Sequence, residues 1–307
     1  TCYKNVKQME TIQIGSNVVF LEKLRSNSSR VLIVNKIDIS YASKSEHNFA
    51  QRLLIKTIEQ LTGKRKLQKI YSEFSKEKIE PRFFWTGILK SMKIEVINRS
   101  KVNDVIPKKG KLLMIANHPF GIIDGIIMCS IASKIRSDFK IMTHETLGFV
   151  PELNQYILPI DFKDNSKMTV KNNIETSKNA KKHLLNGGLL IIFPSGSVSV
   201  AKNLKSAAED DDWKQFTAKI IKQTKTDVLP VYFDGKNGIL YHLFASKLKN
   251  QTLKYSSYIH ETKKMIGKEV NINIGKVIKY SELDSLKNRT EITNYLKLKT
   301  YNLGKQK

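Results

Sequence analysis

The feature that most limits what this chain can fold into is the alternation, from residue 93 onward, of short apolar runs with longer amphipathic ones. The runs are "KIEVIN" (93–98), "KLLMIA" (111–116), "FKIMTH" (139–144), "YILPIDF" (156–162), "GGLLIIFP" (187–194), "DVLPVYFDG" (227–235) and "EVNINIGKVI" (269–278). They are rich in Ile, Leu and Val and mostly bounded by glycine, proline or polar residues, and several lack polar alternate positions, as strands buried on both faces do. Between them, Ile122–Ser133, "MTVKNNIETSKNAKKHLLNG" (168–187) and "DDWKQFTAKIIKQTK" (211–225) read as helices. Strand and helix in alternation predict an α/β fold with a mostly parallel mixed sheet flanked by helices.

The first 90 residues read differently. Residues 1 to about 43 hold short β-like runs, "TIQIG" and "VLIVN", separated by "RSNSSR". From there "FAQRLLIKTIEQLTG" puts Phe49, Leu53, Ile55, Ile58 and Leu61 near one helical face, "KLQKIYSEFSKEK" gives a second helix, and "PRFFWTGILKSM" a third with Pro81 at its first turn. The expected division is a mainly helical N-terminal extension over 1–90 and an α/β domain over 91–307. The aromatics of the third helix suit either a membrane surface or packing on the sheet.

Charge narrows the partners. The net charge is +25, carried by 45 lysines against 8 arginines, and the lysines are scattered. Base readout and bidentate phosphate recognition favour arginine, so no nucleic acid is expected. An anionic membrane asks only for diffuse positive charge. No apolar run reaches the roughly 20 residues that span a bilayer, no signal peptide is visible, and Cys2 and Cys129 suggest neither a disulfide framework nor a metal site. These features predict a cytoplasmic protein, peripheral on the inner face of the cell membrane.

Three segments carry chemistry. In "NHPFGIIDG" (117–125), Pro119 pushes His118 out of helical geometry. His118 then hangs from the end of a strand while Asp124 projects from the first turns of the next helix; in one continuous helix they would lie about 120° apart. Ligands of open α/β sheets bind at the carboxyl ends of strands, so the pair reads as a base and its orienting group, with a satisfied core pair as the other reading. In "FPSGSVSV" (193–200), a strand ends in a turn with three hydroxyls, Ser195, Ser197 and Ser199. Such a turn can cradle a phosphate or an oxyanion, or be a plain strand-to-loop turn. It is neither a Walker loop nor a nucleophile elbow. In "VLPVYFDGKNG" (228–238), Pro230 interrupts a buried strand. The acidic run Glu209–Asp212 just upstream reads as a solvated helix start over Trp213, since four consecutive acids cannot all face one ion.

Taken together, from about residue 47 to the C-terminus, these segments resemble the glycerolipid (lysophospholipid) acyltransferase family, most closely its hemolysin-like branch, which includes enzymes making ornithine- and glycine-type lipids. "NHPFGIIDG" matches the branch form N-H-P-x-G-x-x-D-G at every fixed position, and "FPSGSVS" is close to F-P-x-G-x-V-S. "YILPIDF" and "VLPVYFDGKNG" stand where the family's second and fourth blocks fall. The sequence departs from the family in having Ser195 where many members carry glutamate, Ser197 where the branch often has arginine, and no arginine after Asp161. Lys163 and Lys202 are possible substitutes.

The resemblance implies acyl transfer from a thioester, on acyl carrier protein or coenzyme A, to the free hydroxyl of a lysolipid: lyso-ornithine lipid, another lyso-aminolipid or lysophosphatidic acid. His118 would be the general base and Asp124 its orienting group. Asn117, Pro119, Gly121, Gly125, Phe193, Pro194, Ser195, Gly196, Ser197 and Ser199 would line the substrate site, with backbone donors near Gly121 and Gly196 facing an oxyanion. No bound cofactor and no metal are implied. The positive charge would also attract an acidic acyl carrier protein. A thioesterase or lipid hydrolase using the same pair, and a basic nucleic-acid-binding protein, are the rival readings.

Overall fold

A computed structural model describes residues 8–14, 17–23, 30–32, 49, 53, 55–57, 59, 63–77, 79–98, 105–143, 151–160, 167–203, 206–247 and 251–305. The chain divides into two compact units, Thr1–Ile39 and Ser40–Lys307. The first contains an antiparallel meander of β1 (Gln8–Ile14), β2 (Asn17–Lys23) and β3 (Arg30–Leu32), with Ile14 opposite Asn17 and Phe20 opposite Leu32. The N-terminal stretch is therefore β where it is described, and the units divide after Ile39 rather than near residue 90.

The helices before residue 91 belong to the second unit. These are α1 (Lys64–Phe74) and α2 (Phe84–Ser91), the latter entered through a short 3-10 turn at Pro81–Phe83. Residues 49, 53, 55–57 and 59 lie in or beside an earlier helix, of which Ile55 is buried while Phe49 and Leu53 are exposed, so the expected apolar face is only partly used. Ile58 and Leu61 lie outside the described residues. Within α2 the buried residues are Trp85, Ile88 and Leu89, and the Trp85 ring sits edge-on to Phe139 and Tyr156 at 6.4 Å from each. Its aromatic character thus serves the core, with Phe83 left on the surface.

The second unit is built on a seven-stranded sheet. In chain order the strands are β4 (Glu95–Asn98), β5 (Leu112–Ala116), β6 (Phe139–Thr143), β7 (Ile157–Pro159), β8 (Leu189–Ile192), β11 (Asp227–Asp234) and β12 (Glu269–Ile274), with β9 (Val200–Ala201) and β10 (Ala208–Glu209) forming a separate small ribbon. Their order across the sheet is β4-β12-β11-β5-β8-β6-β7, and every neighbouring pair is parallel except β11 with β12. All five residues of β5 are buried, as a central strand covered on both faces requires. Pro230 does not break β11. Val228 pairs with Ile278 and Val231 with Ile274, three residues against four, so the proline falls in a bulge where its missing N–H is tolerated.

Helices cover the sheet. The connection from β5 to β6 is α3 (Ile122–Ile135), buried nearly all round beneath α2; Thr86 and Ser130 share a 2.8 Å hydroxyl bond across that contact. The remaining helices are α4 (Lys167–Leu185), α5 (Gln215–Thr224), a short α6 (Ile239–His242), α7 (Gln251–Lys264), α8 (Tyr280–Asp284) and α9 (Arg289–Leu303). The last four give a weak periodic signal. The stripe that α9 buries is Ile292, Thr293, Leu296 and Thr300, half of it polar.

Candidate active site

The parallel neighbours β5 and β8 end at the same edge of the sheet, and the two sequence motifs are the turns that leave them. Asn117 comes first after β5. Its side chain is buried, donating to the Phe233 carbonyl at 2.9 Å and accepting from the Phe233 N–H at 2.8 Å. It acts as a strand residue turned sideways, tying β5 to β11 one residue before His118. Expected as a substrate contact, it spends its oxygen and one of its two amide hydrogens on its neighbour's backbone.

His118 follows, and its Nδ1 stands 3.0 Å from Asp124 Oδ2. The imidazole side chain is 18% exposed and the carboxylate fully buried. Asp124 lies in the first turn of α3, and the same oxygen accepts from the N–H groups of Phe120, at 2.8 Å, and Gly121, at 3.0 Å. Burial pushes its carboxyl above the ordinary value, against the bonds from His118, Phe120 and Gly121, which favour the anion. With a proton on Nδ1 facing that carboxylate, the neutral ring presents Nε2 as an acceptor. One face of the imidazole stacks on Phe193 at 4.0 Å, fixing the ring plane.

The turn after β8 completes the surroundings. Gly196 has φ of +66° and Gly121 of +71°, conformations that side chains rarely adopt, and a Cβ on Gly121 would meet Val198 Cγ2 at 3.2 Å. The two turns thus touch at Gly121 and Val198, and the Ser199 N–H donates to the His118 carbonyl at 2.8 Å. Pro194 and Pro119 are buried in this contact. Gly125, by contrast, faces Ile141 inside the α3–sheet packing.

Two expectations change here. The Gly121 N–H is taken by Asp124 and the Gly196 N–H by the Phe193 carbonyl, at 3.0 Å each, so neither is free for an oxyanion. The helix start and the turn each satisfy their own backbone. The serine hydroxyls are likewise engaged: Ser195 donates to the Ser197 carbonyl at 2.7 Å, Ser197 to Asp211 at 3.0 Å, and Ser199 to Asp210.

Asp210 was missed as a site residue, because the acidic run reads as a solvated helix start. Its carboxyl is in fact buried, with one oxygen accepting from the His118 N–H, at 3.2 Å, and from Ser199 Oγ, and the other from Trp213 Nε1 at 2.9 Å. One carboxylate therefore holds both turns, and Trp213 packs beneath it as expected. Burial raises the Asp210 carboxyl, with the Ser199 and Trp213 bonds opposing. From α9, Lys297 Nζ donates to the Asp210 carbonyl at 2.9 Å, and the Asp210 N–H donates to Tyr301 Oη at 2.7 Å. The only hint in the sequence was an acid run next to a tryptophan. Asp161 and Lys163 lie outside the described residues, and Lys202 is exposed. No group of three or more metal-ligating side chains is found among the described residues.

The chain is similar to known proteins over most of its length. The chain is 23% identical over 288 residues to the lyso-glycine lipid O-acyltransferase of Phocaeicola vulgatus, covering 92% of this chain and 98% of that one. It is 26% identical over 204 residues to the enzyme of the same name from Bacteroides thetaiotaomicron, covering 64% of this chain and 72% of that one. A crystal structure of the 1-acyl-sn-glycerophosphate (LPA) acyltransferase PlsC from Thermotoga maritima aligns over 82% of this chain and 95% of that one, with a TM-score of 0.47 and 14% identity. The acyltransferase family model matches residues 33–306, nearly the whole chain. The chain therefore belongs to the acyltransferase family and is an O-acyltransferase.

Proposed function

We propose that this enzyme transfers a fatty acyl group from an acyl thioester to the free hydroxyl of a lyso-aminolipid, with a glycine-type lysolipid as the leading acceptor. The observation that carries the reading is the His118–Asp124 pair, 3.0 Å apart at the carboxyl end of β5 with Nε2 left open. An alcohol is a poor nucleophile near neutral pH, and a positioned base contributes about 10²–10⁴-fold. His118 Nε2 takes the hydroxyl proton as the oxygen attacks the thioester carbonyl. The new C–O bond forms, the C–S bond breaks, and the proton passes from the imidazolium to the departing thiolate. Asp124 holds the tautomer and stabilises the imidazolium. No covalent enzyme intermediate is needed, since the acceptor itself is the nucleophile.

The acceptor class rests on charge and on the relatives' names. Where many acyltransferases of this branch carry arginine, Ser197 points its hydroxyl at Asp211, and Ser199 points at Asp210. Without a guanidinium here the turn lacks a bidentate partner for a phosphomonoester, which favours an amino-acid head group over lysophosphatidic acid. Both curated relatives act, by name, on a lyso-glycine lipid. The donor is a thioester of acyl carrier protein or coenzyme A, and the enzyme works peripherally at the cytoplasmic membrane face. No helix among the described residues is long and apolar enough to cross a membrane.

The test uses purified protein, both thioester classes, and a panel of lyso-glycine lipid, lyso-ornithine lipid and lysophosphatidic acid, beside a His118→Ala variant. Acylation of the glycine-type acceptor, lost in the variant, is the expected result. Thioester loss without an acylated lipid would replace this reading with a hydrolase.

A further inference from the structure

The segment after β11 carries an apolar tip that the chemistry above does not use. It begins against the site: the backbone of Gly235 lies on the Phe120 ring, so closely that a Cβ there would fall 2.3 Å from Phe120 Cζ. Four residues on, α6 turns two side chains in and two out. Tyr241 is fully buried and donates from Oη to the Val198 carbonyl at 3.2 Å, while His242 Nδ1 accepts from the Ala201 N–H at 3.1 Å. Tyr241 thus grips the Phe193–Ser199 turn itself, and His242 the strand β9 that leaves it. The other two residues, Ile239 and Leu240, are 62% and 54% exposed.

The position of the tip is fixed from below. Buried Glu261 in α7 accepts from the Gly238 N–H at 2.7 Å, and Lys264 Nζ lies 3.2 Å from the same carboxylate, alongside Gly238. Lys264 is about half-exposed, and Lys236, exposed three residues before Ile239, donates to the Ser206 carbonyl at 2.8 Å. Two large aliphatic side chains therefore project from a held turn that has two lysines beside its start. Two adjacent aliphatic side chains standing out beside lysines suit a lipid surface, which accepts any apolar shape and presents anionic head groups.

We infer that Ile239 and Leu240 insert into an anionic lipid surface and set the His118 site down on it. The inference rests on the lysolipid reading given above, because a lysolipid acceptor resides in that surface and must reach His118 from it. The lysines beside the tip match anionic head groups, and the net charge of +25 adds long-range attraction. The anchors explain the coupling: the residues that hold the tip also hold the turn packed on His118.

The experiment compares the full-length enzyme with Ile239→Ser/Leu240→Ser, and with Ile239→Trp/Leu240→Trp. Co-sedimentation with phosphatidylglycerol vesicles is measured first, without any substrate. Turnover is then measured on a lysolipid embedded in those vesicles and on a short-chain lysolipid kept monomeric in solution. The serine variant should bind vesicles about tenfold or more weakly and lose turnover of the embedded acceptor in proportion, while keeping turnover of the monomeric one. The tryptophan variant should retain both. Unchanged vesicle binding in the serine variant would overturn the inference, as would equal loss of turnover on both acceptors. A loss seen only with the carrier-protein thioester, and not with the coenzyme A thioester, would also overturn it and assign the tip to the carrier protein. If the unaltered enzyme acylates neither acceptor, the acyl-transfer reading fails by itself, and vesicle binding still decides the role of the tip.

Discussion

The turn after β5 closes on itself. Asp124 sits six residues from His118, orients its imidazole, and caps the start of its own helix through the Phe120 and Gly121 N–H groups. The turn after β8 does not. Ser197 and Ser199 are held by Asp211 and Asp210, which lie beyond β9 and β10, and Asp210 is itself held by Lys297 and Tyr301 in the last helix. In the first turn the imidazole is oriented by a residue of its own short motif, even though Asp210 also holds the His118 N–H. The second is organised by a carboxylate that chain topology delivers from elsewhere. The chemistry proposed for the local turn would still depend on the distant carboxylate for alignment, because Asp210 holds the His118 N–H.

The largest expected effect lies in the local turn. His118→Ala should lower turnover by about 10²–10⁴-fold with little change in stability, read by steady-state kinetics beside a thermal melt. Retained turnover would end the base assignment. Asp124→Asn should cost about 10²–10³-fold, since a positioned base without its orienting carboxylate still works poorly. Asp124→Ala should add a stability loss of about 1–2 kcal/mol, because the helix cap goes as well. A stability loss equal in the two variants would show that the charge, and not the cap, holds this turn.

Asp210 tests the other half of the comparison. Asp210→Asn should reduce turnover about 10- to 100-fold by misplacing the imidazole, with KM changing less than kcat. Its pH signature separates alignment from bulk destabilisation. Burial raises the Asp210 carboxyl from the ordinary 3.8. A group raised on folding contributes stability that is fully present below its unfolded value and is lost as pH climbs through its folded value. The asparagine variant lacks that contribution, so its stability deficit should be largest in acid and narrow toward neutral pH. Urea unfolding at pH 4 and pH 7 measures this, and a deficit that widens instead would mean that the three donors dominate. The smallest effect belongs to Ser197→Ala, whose bond to Asp211 is exposed. It should change stability by no more than about 0.5 kcal/mol and turnover less than threefold. A larger loss of turnover would place that hydroxyl in direct contact with the acceptor.

How much could be read in advance follows the same division. His118 and Asp124 were legible because Pro119 and Gly121 force a turn between a strand and a helix, which brings two nearby residues together. The strands and the helices between them were legible from apolar runs of the right length. Asp210 was misread as solvated because burial belongs to the neighbours a residue acquires, and its neighbours are His118, Ser199 and Trp213. Free backbone donors were expected near Gly121 and Gly196, and the N–H groups of these two residues are engaged, which could not be read in advance because hydrogen-bond accounting needs the partner in place.

The two apolar helices make the point in reverse. "FFWTGILKSM" suits a membrane surface as well as the sheet, and Trp85 is buried against Phe139 and Tyr156, whereas "ILYH" draws no notice, yet it exposes Ile239 and Leu240. By itself the sequence determined the pairing of His118 with Asp124, the kinds of elements and the family, all of which depend on residues near one another in the chain. Only the tertiary structure decided the strand order, the carboxylate that joins the two turns, and which apolar side chains remain on the surface. Those are properties of contacts across long stretches of chain, and local patterns of hydrophobicity carry no record of which distant element will cover them.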